Sequence, residues 1–124
     1  MATLADLMRD HDTDPAGTAV ELRALAASGV TVDETPRLGW LINHVIGEKF
    51  DRWAEALALL KPICTDSVPA GAWRQLGVAA SLAGDVLTAW DAEARMDNAH
   101  RRGWRSVWPF WSGRWNICSP SKGL

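Results

Sequence analysis

Three histidines, two cysteines and a short acidic run hold the reactive chemistry of this chain. His11 sits in Asp10-His11-Asp12-Thr13-Asp14, a segment that gathers oxygen and nitrogen ligands. It lacks the glycine and the distant glutamate of a calcium loop and has no zinc spacing, so a solvated acidic segment is expected, with a weak cation site as the alternative. His44 and His100 stand alone in sequence, and no Ser, His and Asp arrangement with a recognisable signature occurs. Cys64 and Cys118 belong to no CxxC pair, which is the usage of reduced thiols in a cytoplasm. Cys64, beside a loop proline, is expected to fill space as a small apolar side chain. No catalytic residue, cofactor or metal is therefore assigned. Were a pocket between helices to bind or act on a small molecule, its ionisable candidates would be His44, Cys64 and Asp66.

The aromatic residues are distributed more unusually. The chain has eight tryptophans, and Trp104, Trp108, Trp111 and Trp115 are spaced four, three and four apart among Arg101, Arg102, Arg105 and Arg114. On an unbroken helix this is a cationic amphipathic stripe suited to a membrane interface. Pro109 interrupts it, and Gly103 and Gly113 weaken its ends. Three arrangements compete for the segment: a cap packed on the helices before it, a disordered or processed end, and an anchor to a partner or, through residues 101–116, to a membrane surface. The first is the expectation, with the segment folded back on Val86, Trp90 and Met96, because four indoles left in water form a larger apolar patch than monomers usually carry.

Charge separates this extension from the rest. Residues 1–99 hold fifteen acids and eight bases, whereas residues 100–124 hold five bases and no acid. The reading is a helical domain over 1–99 followed by a Trp/Arg-rich extension over 100–124. The net charge of −2 gives no general affinity for nucleic acid. The acidic start and the absence of a long apolar run favour neither secretion nor a membrane span, so a cytoplasmic protein is expected.

The 124 residues, 48% hydrophobic and 23% charged, suffice for one small core. Helical punctuation runs throughout. Asp14-Pro15 opens a helix over residues 15–28 carrying Val20, Leu22, Leu25 and Ala26, which closes at Gly29. Thr35-Pro36 opens a second with Leu38, Leu41, Ile42, Val45 and Ile46, which the pattern stops at Gly47. Phe50, Trp53, Ala54, Leu57 and Leu60 form the clearest apolar stripe, ended by Pro62. A helix restarting near Pro69 carries Trp73, Leu76, Gly77, Ala80 and Ala83 as far as Gly84, and Asp85 caps a last one over residues 85–99. Val30-Thr31-Val32 is the only β-like patch and reads as a loop. The fold expected is all-α: antiparallel helix hairpins, five or six helices, in a short right-handed solenoid or a small bundle.

These hairpins repeat. Leu38-Gly39 returns as Leu76-Gly77 and Ala54-Glu55-Ala56 as Ala92-Glu93-Ala94, 38 positions apart, while Gly47 and Gly84, like Trp53 and Trp90, are 37 apart. The second copy resembles a tetratricopeptide repeat: Trp73-x-x-Leu76-Gly77-x-x-Ala80 follows the first-helix pattern of that family, Gly84 its turn and Ala89 its small second-helix position. Glu93 departs from it, as does the missing closing proline, and the first copy lacks the tryptophan; the resemblance covers about residues 36–99. It implies close packing at Gly77 and a partner-binding groove lined by Trp40, Asn43, His44, Arg74, Val78 and Ser81. The implied function is a non-catalytic interaction module that binds a protein or peptide. Association of two chains to complete the stack is left open.

Overall fold

The computed structural model describes the backbone of residues 2–107 and the side chains of residues 2–99; the fold-back expected of Trp108, Trp111 and Trp115 about Pro109 lies outside the described residues. The first helix precedes any read from the sequence. In α1 (Leu4–Asp10) the Thr3 hydroxyl accepts from the Asp6 N–H at 3.2 Å, and the Asp6 carboxylate accepts in return from the Thr3 N–H at 3.0 Å. This reciprocal cap satisfies two of the donors that a helix start leaves open. Leu4 and Leu7 bury themselves beneath it.

Helix α2 (Pro15–Ser28) begins as its sequence indicates, with Pro15 at the first turn and Asp14 accepting from the Gly17 N–H at 3.0 Å. Leu22 and Leu25 face the core, but Val20 of the expected stripe is exposed. Residues 32–34 form one 3₁₀ turn, and no strand occurs among the described residues. Helix α3 (Thr35–Ile42) then passes without a break into a wide π turn over Asn43–Lys49.

That continuation corrects the turn expected at Gly47. The chain reverses four residues later, around Asp51, whose φ of 54° is the only positive value at a non-glycine residue among those described. Gly47 stays inside the wide turn because the Trp53 ring lies against its Cα; a Cβ there would fall 2.5 Å from ring atoms. Phe50, expected within the following helix, precedes it and is exposed. Helix α4 (Trp53–Leu60) therefore starts at the tryptophan.

Helix α5 (Ala70–Ala83) is the hub, packing on α3, on α4 and most extensively on α6 (Val86–Val107). Gly84 at φ 85° closes α5, and Asp85 opens α6 by accepting from the Thr88 N–H at 3.1 Å. Leu22, Leu38, Leu41, Ile42, Val45 and Ile46 have no exposed surface and form the centre of the core. The fold is an all-α small bundle with hairpins α3–α4 and α5–α6, and α6 runs across residue 100, so the change in composition there is not a helix boundary. No helix among the described residues is long and apolar enough to cross a membrane.

The close contact expected at Gly77 lies elsewhere. A Cβ on Gly77 would meet nothing nearer than the Ala92 Cβ at 3.7 Å, an ordinary contact. The tight approach in the first hairpin's packing on α5 is at Gly39, where a Cβ would come to 3.0 Å from the Gln75 Cβ and 3.2 Å from Leu60.

Candidate functional site

Two surfaces gather the residues singled out above. The first is an apolar groove of about 610 Å³ between α5 and α6, with Trp73 and Gly77 in its lining and Arg74, Val78, Leu82 and Trp90 around them. Its walls are wet where helices are normally dry: Leu82 is 57% exposed, Val86 62% and Trp90 75%. The Trp73 side chain is buried, with the Arg95 guanidinium 5.1 Å from its ring centre. Arg95 is held in turn by Asp91 at 3.1 Å and Asp66 at 3.0 Å.

The second surface is built where the α1–α2 turn meets the π turn. His44 and Trp40 stack with centroids 4.8 Å apart and planes at 16°, and His11 stands edge-on to both at 5.2 and 5.8 Å. Each histidine has its Nδ1 engaged, His11 with the Met8 carbonyl at 2.6 Å and His44 with the Glu48 carboxylate at 2.8 Å. Neither acceptor brings a proton, so Nδ1 carries the hydrogen and Nε2 the lone pair in the neutral ring. The Nε2 of His11 lies 3.4 Å from an Asp12 oxygen, which also pairs with the Lys49 ammonium at 3.0 Å. The hydrogen bond from Lys49 holds Asp12 below the ordinary carboxylate range.

The six residues expected to line one groove are thus distributed over three places. Arg74, Val78 and Ser81 line the α5–α6 groove. Trp40 and His44 belong to the ring cluster on the other side of the first hairpin. Asn43 lines neither: it is buried, and its amide donates to the backbone and side-chain oxygens of Gln75, both at 2.9 Å, tying α3 to α5. Its own Oδ1 is buried without a hydrogen-bond partner.

His11 was legible in sequence only as part of an acidic segment, and nothing in its spacing pointed to His44, 33 residues away. The slip from 38 to 37 in the repeat was the available signal. The extra residue of the first copy falls between Gly39 and Gly47, where the π turn accommodates it. Cys64 is half-buried, points at the Ala72 carbonyl, and is pushed by burial up to about 11. At neutral pH it is a thiol and a poor nucleophile. No family model matches the chain, and the comparisons with curated proteins and with solved structures found no match.

Proposed function

We propose that this chain is a non-catalytic interaction module that holds an amphipathic segment of a partner protein in the groove between α5 and α6. The observation that carries the reading is the run of solvent-exposed apolar side chains, Val78, Leu82, Val86 and Trp90, along one open groove. An amphipathic helix laid there would cover side chains that now face water, at about 25 cal/mol for each Å² of apolar surface removed. Arg74 on one wall and Glu93 on the other flank the apolar floor with charges of both signs, which suits a partner with a mixed polar face. The tetratricopeptide-like pattern of Trp73, Leu76, Gly77 and Ala80 points to the same class of function.

Two variants of the full chain separate this groove from the ring cluster. Val78→Asp with Trp90→Asp places charge in the groove, whereas Trp40→Ala alters only the other surface. Partner proteins captured by the wild type are expected to be lost with the first variant and kept with the second. Equal capture by all three would refute the groove.

A further inference from the structure

We propose that His11, Asp12 and His44 form a binding site for a divalent transition-metal ion of the zinc class. One ligand atom from each lies within 4.8 Å of those of the other two. The three residues come from two separate elements, the turn after α1 and the π turn, so the fold and not local sequence assembles them. Two imidazoles and one carboxylate are the donors such ions take while keeping positions open for water; the hard ions calcium and magnesium require an all-oxygen shell instead.

The surroundings are those of a prepared ligand set. Both rings have Nδ1 occupied by an outer acceptor, the Met8 carbonyl and the Glu48 carboxylate, which leaves each Nε2 as the donor and fixes the ring. Trp40 stacked on His44 limits its rotation further. Bonds of roughly 2.0–2.2 Å to a tetrahedral ion place ligand atoms about 3.3–3.6 Å apart. The His11–Asp12 pair already stands at 3.4 Å, and closing the 4.8 Å span of the three ligand atoms around an ion requires a shift of about an ångström. Lys49 holds the Asp12 oxygen in competition, so an ion must displace its ammonium.

The test uses the full chain, stripped with a chelator and titrated with zinc chloride, read by calorimetry and by the ring-nitrogen resonances of the histidines. One equivalent of zinc is expected to move the Nε2 signals of both His11 and His44. Asp12→Asn, at an exposed position that spares the core, should weaken binding at least ten-fold, Glu48→Gln should weaken it about ten-fold or more, and Lys49→Met should tighten it. Unmoved His11 and His44 nitrogens at one equivalent, or wild-type affinity in Asp12→Asn, would overturn the site. Zinc held by other groups of the chain, such as His100 or Cys118, gives the first of these results.

Discussion

Gly47 and Gly77 both lie inside helical segments and should respond oppositely to one added methyl. At Gly47 the new Cβ would stand 2.5 Å from the Trp53 ring, which is packed against the core and must move. Overpacking of this kind costs about 1–3 kcal/mol, more than the helix gains by losing a glycine. At Gly77 the methyl meets only Ala92 at contact distance, so Gly77→Ala should be neutral or stabilising by up to about 1 kcal/mol. Thermal melts of the two variants check both signs. Asn43→Ala, which removes the two hydrogen bonds to Gln75 that tie α3 to α5, should lower stability by about 1–3 kcal/mol in urea titrations. None of this was readable from composition, since a glycine's sequence does not say whether an aromatic ring or open space faces its Cα.

Among the elements, hairpin α5–α6 was the most legible. Gly84 and Asp85 carry the left-handed closure and the helix cap that their residue types indicate. The first hairpin was less so, because its π turn moves the reversal from Gly47 to Asp51, and α1 was missed because seven residues with two buried leucines carry little periodicity. Helices α2 and α4 are joined by Arg23, whose Nη2 donates to Glu55 at 3.1 Å. Arg23 holds the Glu55 carboxyl below its ordinary value of 4.5. The pair therefore stabilises the fold above that value, and its contribution is lost as the pH falls through the lower folded one. Both side chains are about a third exposed, which limits the contribution to less than about 1 kcal/mol. Glu55→Gln should show a small stability deficit at pH 7 that narrows below about pH 4.5; a deficit unchanged in acid would mean that packing, not charge, is what the variant loses.

At the scale of the whole molecule, α5 ties two unlike hairpins together. The repeat places Trp53 opposite Trp90, yet Trp53 packs on Gly47 at the core whereas Trp90 is 75% exposed on α6. The first hairpin also packs on α2, whereas α6 packs chiefly on α5 among the described residues. Sequence patterning indicated that Val86 and Trp90 form an uncovered surface, and of the two first-helix faces it expected to line a groove, that of the second copy, with Arg74, Val78 and Ser81, lines the groove between α5 and α6. Amphipathic periodicity identifies which side chains avoid the core; it does not identify which exposed ones adjoin a groove.

The groove is tested most directly by placing a photo-crosslinking residue at Val86, which lines it and is 62% exposed. The substituted full chain is irradiated in the cells it comes from, and the adducts are mapped by mass spectrometry. The account predicts an adduct to an amphipathic segment of a different protein, absent when Val78→Asp is added. Adducts confined to residues 108–124 of the same chain or to a second copy, or adducts unaffected by Val78→Asp, would contradict it.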